Sequence, residues 1–203
     1  MIRAVVFDFG NVLCRFDPMR MADNLAPYSA LPADELRSLI LAPSELGLRY
    51  ESGLISSVEF FKNAVEACRL RITEAEFIRA FCDIFTPIPK MLDWVRRLHG
   101  NVKLGLLSNT NEWHYLHGIR TVDVFPLFDA VTLSFQVKAM KPDPAIFRDL
   151  SANLDLPPEE CFYTDDMVSY VKAARALGFH AAPFTTPEAL EEMLLSCVRP
   201  HRP

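Results

Sequence analysis

The segment Ile2-Arg3-Ala4-Val5-Val6-Phe7-Asp8-Phe9-Gly10-Asn11-Val12-Leu13 decides how the chain is to be read. A run of β-branched and aromatic residues that stops at a carboxylate, followed by glycine and asparagine, describes a buried parallel strand whose carboxyl end delivers Asp8 to a turn. Ligands gather at that edge of an α/β sheet. A carboxylate held there can bind a divalent cation or attack phosphorus, and both uses need a rigid support. Asp and Asn are also ordinary turn formers, so this segment alone leaves a purely structural role open.

On its carboxyl side, Arg15 to Thr86 carries helical patterns and no strand pattern. Ser56-x-x-Glu59 precedes Phe60, Phe61, Ala64 and Val65, and Thr73-x-x-Glu76 precedes Phe77, Ala80 and Phe81. Both are capping-box spacings followed by apolar faces of helical period. Pro32 before Leu36, Leu39 and Ile40 opens another helix, and Asp17-Pro18 before Met19 to Leu25 a further one. Arg49-Tyr50-Glu51-Ser52-Gly53 reads as a polar break between helices. Pro87 and Pro89 end the insert, because a residue before proline is driven out of the α region.

Helix and strand then alternate. Val102–Leu107, Ala130–Leu133, Cys161–Thr164 and a short stretch around Ala181–Phe184 read as strands; Met91–Leu98, Pro144–Leu154, Val168–Leu177 and a segment begun by Thr186-Pro187 read as helices. This order predicts βαβ units in a mainly parallel sheet with right-handed crossovers. The first strand has to join that sheet, so the helical insert interrupts one domain.

A chain of 203 residues holds one α/β core and a smaller appended unit. The net charge of −5 comes without any Lys/Arg block, which argues against a nucleic-acid or anionic-membrane surface and leaves a small anionic ligand open. Cys14, Cys68, Cys82, Cys161 and Cys197 are widely spaced in apolar surroundings without a C-x-x-C, as reduced core residues of a cytoplasmic protein are. No segment reaches the ~18 apolar residues of a membrane span. Nothing in the sequence sets the oligomeric state.

Further polar clusters fall where strands end. Ser108-Asn109-Thr110 offers hydroxyl, amide and backbone donors, a seat for an anion, although such a triplet is more often a helix cap. Lys141-Pro142 follows the strand that ends at Leu133-Ser134, and a fixed lysine neutralises charge growing on a phosphoryl group. Asp165-Asp166 places adjacent acids at a strand terminus, where they repel unless a cation or donors compensate.

In order and spacing, the chain resembles the haloacid dehalogenase-like (HAD) hydrolase superfamily over nearly its full length, with Asp8, Ser108, Lys141 and Asp165-Asp166 as its successive motifs. The resemblance implies an α/β fold: a Rossmann-like parallel-sheet core of residues 1–14 and 88–203, with an inserted all-helical cap of residues 15–87. Phe-Asp-Phe-Gly-Asn-Val-Leu, Leu-Ser-Asn-Thr-Asn, Lys-Pro-Asp-Pro-x-Ile-Phe and Thr-Asp-Asp are similar to the subgroup that includes bacterial glucose-1-phosphate phosphatases.

The implied activity is a magnesium-dependent phosphatase of a small phosphorylated metabolite, such as a sugar phosphate, acting through an aspartyl-phosphate. By the same resemblance Asp8 is the nucleophile; Asp8, the Gly10 carbonyl and Asp166 bind Mg2+, with Asp165 beside them orienting metal-bound water; Ser108, Asn109 and Lys141 hold the phosphoryl group. Two positions depart from the family pattern. Gly10 stands where most of its phosphatases carry a second aspartate as acid/base, a group worth ~10² to 10⁴ in rate, so good leaving groups are expected to be preferred. Tyr170 stands where an Asp or Asn usually helps hold the metal's water shell, which implies weakened metal affinity.

Two other functions fit the same pattern: a metal-independent 2-haloacid dehalogenase, whose branch also lacks the second aspartate, and a catalytically weak phospho-ligand binding protein. Substrate choice is expected in the insert. Tyr50 and Glu51 are candidate contacts to the leaving group, although an ordinary interhelical turn reads the same way; Trp113 and His114 are candidates for the cleft, although such residues more often pack a helix face. Connections near Arg15 and Pro87 are the expected hinges of cap closure.

Overall fold

The structure, a computed structural model, describes residues 1–197, with side chains to Leu195, so the Cys197 side chain and residues 198–203 lie outside the described residues. Its first strand, β1 (Ala4–Phe7), is buried throughout. The short strand β2 (Cys14–Phe16) leads into helices α1 (Pro18–Leu25), α2 (Ala33–Ile40), α3 (Glu45–Glu51), α4 (Ser57–Ala67) and α5 (Glu74–Cys82), and the chain returns through β3 (Phe85–Pro87), antiparallel to β2. There follow α6 (Pro89–Leu98), β4 (Lys103–Ser108), α7 (Glu112–His117), β5 (Ala130–Leu133), α8 (Ser134–Val137) and α9 (Pro144–Leu154). The chain continues through β6 (Cys161–Asp165), α10 (Val168–Ala176), β7 (His180–Pro183) and α11 (Pro187–Cys197).

Five strands form one parallel sheet in the order β5-β4-β1-β6-β7. Side chains alternate across a strand, so Val5, Phe7, Leu104, Leu106 and Phe162 pack with α6 on one face. Ala4, Val6, Cys161 and Tyr163 pack with α9 and α10 on the other. Because both faces are covered, the strands carry continuous apolar runs. Gly105 belongs to this packing: a Cβ there would stand 3.0 Å from Val6 Cγ2.

The insert has its own core, in which Phe60, Phe77 and Phe81 are fully buried. Both expected capping boxes form: Ser56 and Glu59 satisfy each other's backbone N–H at the start of α4, and Thr73 and Glu76 do so at α5. The four described cysteines are free and buried.

Two expectations for residues 15–86 are corrected. The segment contains strand residues, because β2 and β3 pair as a ribbon at the root of the insert, too short for a period-two pattern to show. Residues 49–51 are not a break but the last turn of α3, capped by Ser44, whose hydroxyl accepts from Gly47 N–H. Gly47 weakens the helical signal and is needed by the packing, since a Cβ there would lie 2.3 Å from the Ala42 nitrogen.

Candidate active site

Strand order brings the polar clusters together. Consecutive strands β5 and β6 lie on opposite sides of β1, and the crevice of an open parallel sheet forms where the order reverses, at the carboxyl ends of the strands. Asp8 follows β1, Ser108 ends β4, and Asp165 ends β6 with Asp166 next in the chain. The Asp8 N–H donates to the Thr164 carbonyl at 3.0 Å, which fixes the acid relative to β6.

Lys141 organises the acids. Its ammonium donates to Asp8 Oδ1 at 2.7 Å, to Asp165 Oδ2 at 2.7 Å and to the Leu107 carbonyl at 3.1 Å. Burial works against its charge, yet the two carboxylates hold the ammonium above its ordinary value. Asp165, fully buried, is saturated by protein donors, since the Tyr163 hydroxyl also donates to Oδ2 and Met167 N–H to Oδ1 at 2.8 Å. Burial pushes the Asp8 carboxyl up to about 7, with Lys141 opposing and Asp165 adding to the rise.

The acids outnumber the cation. Asp8, Asp165 and Asp166 can each offer a ligand oxygen within 4.8 Å of the others, against one buried lysine. Hard oxygen donors in negative excess suit a small dication. Because Asp165 is already committed to Lys141 and Tyr163, Asp8 and Asp166 are the two acids of this cluster that line the open cleft, together with Gly10. The residues present therefore fit magnesium.

Two supporting side chains, Asn11 and Tyr163, escaped the sequence reading. Asn11, at φ +55°, donates from Nδ2 to Asp166 Oδ2 at 3.0 Å while its Oδ1 accepts from Phe16 N–H at 3.1 Å. Tyr163 is two residues from Asp165 on one strand face, so strand period alone could have paired them. Asn109 bridges strand and loop: Oδ1 accepts from Lys141 N–H at 2.8 Å, and Nδ2 donates to the Lys141 carbonyl at 3.1 Å. Tyr170 lines the cleft with its ring 5.2 Å from the Lys141 ammonium.

A family model described as haloacid dehalogenase-like hydrolase matches residues 2–178. The chain belongs to this family. It is 29% identical over 187 residues to a phosphorylated carbohydrates phosphatase of Thermotoga maritima, covering 87% of this chain and 82% of that protein. It is 27% identical over 191 residues to a D-ribitol-5-phosphate phosphatase of Bacteroides thetaiotaomicron, covering 88% and 90%. A HAD family enzyme from the same organism, solved in complex with magnesium and inorganic phosphate, superposes with a TM-score of 0.81 at 25% identity, covering 91% of this chain and 95% of that one.

In this HAD-like hydrolase the cleft over the strand ends has a volume of about 380 Å3, and Asp8, Ser108, Asn109, Lys141 and Asp166 all line it. From the insert, Arg37 and Glu51 reach it. Tyr50 and Trp113, expected as contacts to the leaving group or the cleft, are instead 2% and 5% exposed inside the core of the insert, where Tyr50 stacks on Phe60 at 4.1 Å. Their apolar rings gain more from that cluster than from a wet cleft. His114 touches the cleft but is committed to packing: its ring stacks on Phe81, and burial drives it down to about 3, so it is neutral. A larger cavity of about 640 Å3, beside Arg79, Asp83 and His117, is lined by none of the candidate residues. No helix among the described residues is long and apolar enough to cross a membrane.

Proposed function

We propose that this hydrolase is a magnesium-dependent phosphatase of small phosphorylated carbohydrates or polyols, working through an aspartyl-phosphate on Asp8. The observation that carries the reading is the Asp8 carboxylate held by Lys141 beside Asp166 and Ser108 in one cleft. Asp8, the Gly10 carbonyl and Asp166 are the groups to hold Mg2+. When bound, the ion supplies positive charge where a carboxylate and a phosphoryl dianion must approach each other.

Lys141 restrains Asp8 for attack and offsets charge on the phosphoryl oxygens. Ser108 makes one long hydrogen bond, to the Asn109 carbonyl at 3.5 Å, which its hydroxyl can exchange for a phosphoryl oxygen. Asn109 keeps the Lys141 backbone against the end of β4, and Asp165 orients the Lys141 ammonium from the side away from the cleft. Arg37 and Glu51 face the leaving group from the insert. The carbohydrate class rests on the two phosphatase relatives. A metal-independent dehalogenase would leave Asp166 beside Asp8 in the cleft without a cation of its own, since Lys141 is shared by Asp8 and Asp165.

Initial rates on a panel of sugar phosphates, polyol phosphates and acetyl phosphate, with magnesium and with a chelator, test the proposal. Turnover is expected only with magnesium, and Asp8→Asn is expected to lose at least about 10⁴-fold. Undiminished turnover in the chelator, or by Asp8→Asn, contradicts it.

A further inference from the structure

Gly10 leaves the reaction without an acid on the nucleophile's own loop, so a poor leaving alkoxide needs a proton from elsewhere in the cleft. Glu51 is the acid that the insert presents there. Among the described residues, no hydrogen bond or ion pair partners its carboxylate, although its position is tightly set. Its own carbonyl accepts from Ser134 Oγ at 2.6 Å, and that hydroxyl also bonds the Thr110 carbonyl, two residues beyond Ser108. On its amino side, Trp113 N–H donates to the Tyr50 hydroxyl at 3.2 Å, Tyr50 bonds Ser57 Oγ at 2.7 Å, and Ser57 donates to Glu112 of α7. On its carboxyl side, Gly53 at φ +65° lies so close to α8 that a Cβ would fall 2.0 Å from the Phe135 carbonyl oxygen.

A partnerless, half-buried carboxyl fixed on both flanks and lining a reaction cleft is poorly explained by stability, since it is partly shielded from water and gains no bond in return. Accepting the aspartyl-phosphate reading, we propose that Glu51 is the general acid and base of this enzyme, taking over from the insert the role that Gly10 cannot fill. As Asp8 attacks, the bond from phosphorus to the leaving oxygen breaks, its electron pair stays on that oxygen, and Glu51 gives up its proton to release the alcohol. Glu51, now a carboxylate, takes a proton from water as the water oxygen attacks phosphorus. The bond to Asp8 breaks, inorganic phosphate leaves, and both Asp8 and the protonated Glu51 are restored.

Two further observations agree. Burial pushes the Glu51 carboxyl up to about 7, so a protonated fraction is present near neutrality. Of the charged groups on the helices packed against α3, only Arg37 of α2 shares the cleft; α4 carries Glu59, Lys62 and Glu66 outside it, and α8 has no charged residue. Across the cleft Glu51 faces Asp8, Asp166, Lys141, His114 and Tyr170.

The test compares Glu51→Gln with the wild type by acid-quenched single turnovers, following phosphate on Asp8. With acetyl phosphate, whose leaving group needs no proton, both proteins are expected to load Asp8 at similar rates. With a polyol phosphate the variant is expected to load about 10² to 10⁴-fold more slowly. Its adduct should also persist longer, and its loading rate should lack the decline above about pH 7 that is expected of the wild type. Equal loading of the two proteins from the polyol phosphate overturns the role of Glu51. So does an equal loss on both substrates, which marks a structural effect, and circular dichroism with a thermal melt shows whether the variant is folded. If the wild type forms no adduct on Asp8 while turning over, the mechanism itself fails, a separate outcome.

Discussion

Asn11 sits at φ +55°, a conformation that asparagine tolerates better than most residues, and divides its amide between Phe16 at the root of the insert and Asp166 in the cleft. That separates its backbone role from its side-chain role. Asn11→Gly keeps the left-handed turn but removes the bonds to both Phe16 and Asp166, so thermal stability should fall modestly while the magnesium needed for half-maximal rate rises about 10-fold or more, as for lost partners of a metal ligand. A magnesium titration checks this, and an unchanged midpoint contradicts the anchoring role. The acids at positions 8, 165 and 166, and Lys141, are legible in sequence because they interrupt or follow apolar runs. Asn11 is not, because a turn asparagine looks the same whether or not it binds an acid, and Tyr163 is signalled only by standing two residues from Asp165 on one strand face. The division of labour between Asp165 and Asp166 is likewise invisible in adjacent letters; it arises because one side chain faces Lys141 and Tyr163 and the other faces the cleft.

Helix α7 ties the core to the insert. Its N-cap Asn111 accepts from His114 N–H at 3.0 Å, and Asn111 Nδ2 lies 2.9 Å from His114 Nδ1 while Nε2 lies 3.2 Å from the Phe81 carbonyl of α5. These partners assign the neutral ring with its proton on Nε2, so that Asn111 donates to Nδ1 and Nε2 donates to Phe81. Burial holds His114 down at about 3, against an ordinary 6.5. Between those values the unfolded chain binds a proton that the folded one refuses, so stability is lost as pH falls from 6.5 towards 3. Urea midpoints measured above neutrality and at about pH 5 should fall for the wild type and fall less for His114→Gln, which starts less stable; equal losses in both proteins contradict the assignment. Capping boxes make α4 and α5 readable from sequence, since each signal is local. The β2–β3 ribbon and α3 are not readable, because one rests on pairing between residues 14 and 87 and the other on a glycine whose purpose is contact with Ala42. The ribbon coincides with the two connections expected to act as hinges, while the Tyr50 and Ser134 bonds hold α3 to the core between them.

Across the molecule, one sheet edge gathers residues spread from 8 to 166, and the insert covers it with Arg37 and Glu51. Alternation of helix and strand predicts a parallel sheet, but its order is set by pairings far apart in the chain, and that order makes the clusters a site. Substrate choice is expected in the insert, but its sequence does not tell which aromatics face inward: Tyr50 joins Phe60, Phe77 and Phe81 in one buried cluster, which Trp113 of α7 completes from the core. The proposed chemistry requires that Asp8 become covalently phosphorylated. The most direct measurement is an acid quench of the wild type turning over a phosphoryl donor with magnesium, followed by peptide mapping. A phosphoryl adduct is expected on the peptide that carries Asp8 and is expected to be absent from Asp8→Asn; turnover with no adduct on that peptide, or with the adduct on another residue, contradicts the mechanism.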